Sequence, residues 1–337
     1  MNLDLVPLWA AILALAVFMY VLLDGFDLGV GILARQAPDD HTRDLMMNSV
    51  APIWDGNETW LVMGGLALLS AFPLAFAILL PALYFPLLLM LLGLIFRGVA
   101  FEFRVMPGTR KRVWGHAFHW GSVVATFSQG VVLGNFVEGI PVAGRAFAGG
   151  SFDWIRPFAL LVGLGLIAGY GLLGACWLVL KTEGPLQDWA RKRARWLLFG
   201  VLAFIAMVSV WTPLMQPRVF ERWFSWPNIA WFSPVPVITA VTAWWLWDSL
   251  NRRRDLAPFL AAMGLFVLCY LGLAISIWPM VIPYSVSLWD AAASPGTHAF
   301  LALGTVFLLP IITMYTAWSY WVFRGKVRAD TGYHSAH

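Results

Sequence analysis

The sequence predicts an all-α polytopic membrane protein of nine transmembrane helices, with the amino terminus outside and the carboxyl terminus inside. Three observations predict it. Of 337 residues, 60% are hydrophobic and 12% charged, with a mean hydropathy of +0.75, whereas soluble domains carry about 25% charged residues. No soluble fold of this size can hide so much apolar surface. The apolar stretches are long runs of Leu, Val and Ala without alternation, which suits helices and not barrel strands. The basic residues then fix the topology. Outward loops hold only Arg145, Arg156, Arg218 and Arg222, Arg97 lies in the membrane, and the other 17 of the 22 Lys and Arg residues fall in inward loops, as the positive-inside rule requires.

The elements follow in order, each about 20 residues or longer. The first, 6–33, has no basic flank and exceeds a signal h-region, so it reads as a retained helix. The second and third, 57–76 and 77–103, divide near Phe72-Pro73, because the residue before proline is pushed out of the α region. The fourth, 117–140, follows Arg110, Lys111 and Arg112. The remaining five are 158–180, 195–215, 229–249, 256–282 and 297–323. The outward connections 141–157 and 216–228 are rich in Gly, Pro and aromatic residues. Many tryptophans, such as Trp223, Trp226, Trp231, Trp244, Trp245 and Trp247, gather near segment ends as an interfacial belt. The tail 329–337 is polar and reads as loose. No sequence repeat of fixed period is present, and the short loops attach no soluble domain.

Several function classes drop out. The net charge of +4 comes from short loops, so it does not indicate a nucleic-acid partner. Cys176 and Cys269 sit within apolar runs and read as buried small hydrophobes, not as a disulfide framework or metal site. Of the histidines, only His116 and His119 lie close together, at the start of the fourth segment, and His298 opens the ninth. None is in mid-membrane, so the chain by itself is not expected to ligate a metal or a buried haem. No Walker loop, dinucleotide fingerprint, zinc spacing or nucleophile elbow occurs.

The chemistry-bearing residues cluster in the first third. A charge at membrane depth costs roughly 2.5–3.5 kcal/mol on insertion scales, so such residues pair, line a wet path or handle protons. Tyr20, Asp24 and Asp27 share one helix face near the inner end of the first segment. Asp55 and Glu58 share a face at the start of the second. Together the two acidic turns suit the inner mouth of a proton path. Asp55 and Glu58 equally suit an N-cap and its capping box. Arg97 reads as a counter-ion to one of these acids, or as a side chain snorkelling to the interface. Glu102 and Glu138 read as interfacial. Gly25-xxx-Gly29 and Gly165-xxx-Gly169 have the small-xxx-small spacing of close helix packing.

These motifs also carry a resemblance. The runs Leu23-Asp24-Gly25-Phe26-Asp27-Leu28-Gly29-Val30-Gly31 and Asn48 to Leu61, containing Trp54-Asp55-Gly56-Asn57-Glu58-Thr59-Trp60, resemble subunit II of the cytochrome bd quinol oxidases. So do Phe96-Arg97-Gly98 to Arg104, Gly134-Asn135 with Gly139, Trp278-Pro279 through Leu288-Trp289-Asp290, Leu309-Pro310-Ile311-Ile312, and Tyr315 to Trp321. The resemblance spans nearly the whole chain in order, and the short length resembles the cyanide-insensitive branch.

The resemblance implies one integral domain: a first four-helix bundle over 1–140 with the acidic path, a second over 158–282, and a peripheral ninth helix over 297–323. It implies a multi-pass subunit of the bacterial inner membrane. Its complex oxidises quinol, reduces O2 to water and is electrogenic without pumping protons. Two b-type haems and one d-type haem then belong to subunit I, the partner. Small single-helix accessory subunits, bound lipid and a structural quinone are further features the family allows. It matches Asp55 to a proton-path acid, Asp27 to another acid near that entrance, Arg97 to a pairing arginine, and Trp60 to a residue near lateral oxygen entry. Two rivals remain from the residues alone. An ion-coupled secondary transporter or channel would mirror its polar sites in both halves, and a pure assembly scaffold would need no path.

Overall fold

The computed structural model describes residues 4–104, 106 and 110–327. The expectation of a loose tail over 329–337 lies outside them. The fold is mainly helical: α1 (Val6–Ala34), α2 (Asp40–Asn48), α3 (Trp54–Ala71), α4 (Pro73–Ala82), α5 (Tyr84–Arg104), α6 (Lys111–Glu138), α7 (Pro157–Lys181), α8 (Gly184–Met215), α9 (Pro217–Phe224), α10 (Asn228–Phe232), α11 (Pro234–Asn251), α12 (Leu256–Ile277), α13 (Leu288–Ala291) and α14 (Pro295–Val322). Among the described residues, seven helices are long and apolar enough to cross a membrane, or eight if the bent pair α3–α4 counts as one span. The 28-residue α6 is not among them, because polar residues run along its length, from Lys111, Arg112, His116 and His119 to Gln129 and Asn135.

The predicted second and third spans are corrected. Pro73 lacks an N–H and forces Phe72 out of the helical region (φ −131°, ψ 62°), so the chain turns by 120° between α3 and α4. α4 then supplies residues assigned to the third span, and α5 starts only at Tyr84. Two hairpins were not predicted: β1 (Val142–Ala143) with β2 (Ala146–Phe147), and β3 (Met280–Ile282) with β4 (Val286–Ser287). The short helices α2, α9, α10 and α13 were not predicted either. Cys176 is buried, but Cys269 lies on an exposed face of α12, so its apolar run is not a protein core.

α1 and α7 form the centre. α1 packs on α3, α6 and α7; α5 packs on α6; α7 packs on α8 and α12; and α11 packs on α12 and α8. α14 lies against α3, and only 6% of its most apolar window is buried, against 61% for α7. The two central helices meet backbone to backbone. A Cβ on Gly29 would sit 1.8 Å from the carbonyl oxygen of Tyr170, and one on Gly174 would sit 2.3 Å from the Gly29 carbonyl carbon. The close approach expected for Gly29 is therefore real, with Gly174 as its partner. Gly165 and Gly169 instead receive the rings of Phe204 and Phe266.

At the other end of the molecule, a second core gathers Trp9, Phe72, Ile78, Ile140 and Ile282. There His298 bridges elements: its Nε2 lies 3.0 Å from the Ala71 carbonyl, and its own carbonyl accepts from Trp9 Nε1. It holds the end of α3 at the bend.

Candidate functional site

Three helices of the first half bring the charged residues together. Arg97 on α5 is fully buried and donates to Asp24 on α1 at 2.5 Å. Its other terminal nitrogen donates to Glu58 on α3. The Trp54 ring lies 5.8 Å from the guanidinium, and Trp54 stacks in turn on Phe101. Of the two readings of Arg97, the structure selects the counter-ion. The capping reading of Glu58 is overturned: α3 begins after Ile53, no side chain caps it, and the Glu58 carboxylate is committed to Arg97.

Asp27 sits one turn along α1 and is 1% exposed. Its Oδ2 accepts from Asn57 Nδ2 at 2.7 Å. The same Asn57 nitrogen reaches the Leu23 carbonyl at 3.3 Å, and Asn57 Oδ1 accepts from the Tyr320 hydroxyl at 3.0 Å. Asn57 and Tyr320 were not singled out from the sequence. Asn57 lies inside the quoted acidic run, whereas Tyr320 was hidden among the aromatics of an apolar helix end.

Exposure falls stepwise through the acids. Asp55 is exposed, the Glu58 side chain is 24% exposed, and Asp24 and Arg97 are 0% exposed. Asp55 is thus not part of the buried cluster; it stands one turn outside it, at the start of α3. Asp27 Oδ1 and Arg97 Nε are buried without a protein partner. Such groups are commonly satisfied by internal water. Trp60 is 1% exposed, and its Nε1 is likewise unpartnered. It points into the core of this chain.

Charge complementarity continues at the same end of the bundle. Arg104 donates to Asp44 at 2.8 Å and to Asp40 at 3.3 Å. The hydrogen bond from Arg104 holds the Asp40 carboxyl below the ordinary aspartate value, against a smaller opposing effect of burial.

The two buried histidines both meet backbone carbonyls. His119 Nδ1 faces the Gly31 carbonyl at 3.2 Å, and His298 Nε2 faces Ala71. Each buried ring spends a nitrogen on backbone, and among the described residues no group of three or more His, Cys, Asp or Glu converges on a metal position. No step through haem is assigned to this chain.

Residues 5–323 match the family profile described as Cytochrome bd terminal oxidase subunit II. The chain is 29% identical to the Cytochrome bd-I ubiquinol oxidase subunit 2 of Escherichia coli (strain K12), covering 96% of this chain and 95% of that one. It is 30% identical to the Cytochrome bd ubiquinol oxidase subunit 2 of Bacillus subtilis (strain 168), covering 95% and 96%. The fold is similar to a chain in the structure of bd oxidase from Geobacillus thermodenitrificans, with a TM-score of 0.74, 19% identity and coverage of 95% and 99%.

Proposed function

This chain belongs to the cytochrome bd terminal oxidase subunit II family, and on that premise we propose that its acidic cluster admits protons from the cell interior to an oxygen-reducing centre owned by the partner subunit. The complex is a quinol oxidase. Haem supplies its redox chemistry when bound in the partner; this chain's residues bind, orient and pass protons.

The observation that carries the reading is the graded burial of the acids. Asp55 is the exposed collecting group, Glu58 the half-sheltered relay, and Asp24 with Asp27 the buried pair. Asp24 and Glu58 share one guanidinium, Arg97, and Asp27 lies one turn from Asp24, bonded to Asn57. A buried excess of negative charge is costly, so an added proton is electrostatically welcome in the cluster. Arg97 keeps the carboxylates wettable and close together without cancelling them all. Electrons entering from outside and protons from inside would charge the membrane with no pump, and each charge crossing 100 mV stores about 2.3 kcal/mol.

The finer architecture fits the same proposal. Helices α1, α3, α5 and α6 form one four-helix bundle, α7, α8, α11 and α12 a second, and α14 the peripheral helix. That makes nine spans in the bacterial inner membrane, with the acid end of α1 on the cytoplasmic side. Trp60, buried further along α3, would border the oxygen route.

The test is Asp55→Asn in the intact complex. Quinol-driven oxygen consumption should fall by about tenfold or more, as for loss of a positioned proton-transfer group, while the haem absorption spectrum is retained. Full turnover in that variant would remove Asp55 from the path and favour a scaffold role.

A further inference from the structure

We propose that Tyr320, acting through Asn57, is the positioning residue for Asp27, so that the peripheral helix α14 sets the geometry of the buried acid. This rests on the proton-path reading above and adds to it a residue and an element that the reading does not use.

α14 is the outlier of the fold. Phe300, Val306, Phe307, Met314 and Trp318 are all exposed, and the helix touches the rest mainly along α3. At its inner end the pattern reverses. The Tyr320 ring enters the central core, with its centroid 6.4 Å from Phe26 and 6.3 Å from Trp177. Its hydroxyl meets Asn57 Oδ1 at 3.0 Å.

The chemistry of the amide makes this contact directional. The Leu23 carbonyl can only accept, so the Asn57 nitrogen must face it, and the same nitrogen faces Asp27 Oδ2. Asn57 Oδ1 is thereby turned toward α14, where it needs a donor, and the Tyr320 hydroxyl is that donor. The chain Tyr320–Asn57–Asp27 therefore has one orientation. It pins Asp27 Oδ2 and leaves Oδ1, which has no protein partner, as the oxygen free to exchange a proton.

The segment just beyond Tyr320 is anchored as well. Lys181 Nζ donates to the Phe323 and Gly325 carbonyls, Val327 N donates to the Lys181 carbonyl at 2.8 Å, and Lys326 Nζ reaches Thr182 and Asp255. The loops of the second half thus hold the end of α14 that carries Tyr320.

The experiment compares Tyr320→Phe, Asn57→Ser, their double variant and Asp27→Asn in the whole complex. Tyr320→Phe keeps the ring and removes only the donor. Turnover should fall by about threefold to tenfold, the range for one hydrogen bond, with the KM for quinol and the haem spectrum unchanged and a larger solvent deuterium isotope effect. Asn57→Ser should give the same signature, and it carries the test if Tyr320→Phe lowers haem content. The double variant should be no slower than the worse single one, because both break one chain of contacts. If Asp27→Asn is slow but Tyr320→Phe and Asn57→Ser keep the normal rate and isotope effect, the positioning role is overturned and the proton path stands. If Asp27→Asn is fully active, the proton reading of this acid itself fails.

Discussion

The two halves of the molecule bury charge in opposite ways. In the first, Arg97, Asp24, Asp27 and Glu58 meet inside the bundle, at the crossing of α1, α3 and α5. In the second, the ion pairs lie at helix ends and loops: Arg191 and Lys326 with Asp255, Arg252 with Asp248, and Arg253 with Asp188. Among the described residues, no acid of the second half is buried inside the bundle. A loop pair is solvated and contributes roughly 0–1 kcal/mol. A buried pair gains more only if both partners stay, and it costs several kcal/mol when one is removed. The first half thus carries an expensive arrangement that stability alone does not require, and the second shows what the same fold does without it. That asymmetry also removes the mirrored polar sites a transporter of inverted repeats would need.

The largest effect should come from Arg97→Leu, which strands Asp24, Asp27 and Glu58 without their cation. It should destabilise the complex by about 3–5 kcal/mol, seen as a lowered unfolding temperature or a loss of assembled complex. Adding Asp24→Asn and Glu58→Gln should recover much of that loss. If the triple variant is no more stable than Arg97→Leu, the charge account of the first half is wrong.

Next is Gly29→Ala at the seam between the halves. Its methyl would overlap the Tyr170 carbonyl, and backbone on both sides leaves nothing flexible to yield. A loss of about 1–3 kcal/mol is expected for such overpacking, read from thermal unfolding. A neutral result would show that α1 and α7 can slide apart, and would weaken the idea of a rigid seat for the acids.

The smallest effect belongs to the second half. Burial raises the Asp255 carboxyl, but the hydrogen bond and charge of Lys326, with the charge of Arg191, outweigh it and leave the group below its ordinary value. A depressed folded value means the contribution is complete above the usual aspartate range near pH 4 and is lost as the pH falls through the folded value. Asp255→Asn should therefore lower stability at neutral pH by less than about 1 kcal/mol, and the gap to the parent protein should close in acid. A gap that persists below pH 3 would indicate packing and not charge.

Much of this contrast was legible in the sequence. The apolar runs, the inward basic loops and the acids at Asp24, Asp27, Asp55 and Glu58 follow from composition and spacing. The 120° bend at Phe72-Pro73 was legible as a break but not as a turn, because proline forbids the helix without saying where the chain goes next. Glu58 looked as much like a cap as a relay, since local spacing cannot reveal Arg97, 39 residues away. Tyr320 was invisible for the same reason: its partner is 263 residues distant, and an aromatic at a helix end reads as interfacial.

The most direct test is proton uptake by the complex with Glu58→Gln, sealed in vesicles and followed with an internal pH indicator during quinol-driven oxygen reduction. Gln keeps the size and an oxygen for Arg97 but cannot carry a proton. The account predicts uptake from the inner side slowed by at least about tenfold with haem content unchanged. Uptake at the normal rate would contradict it.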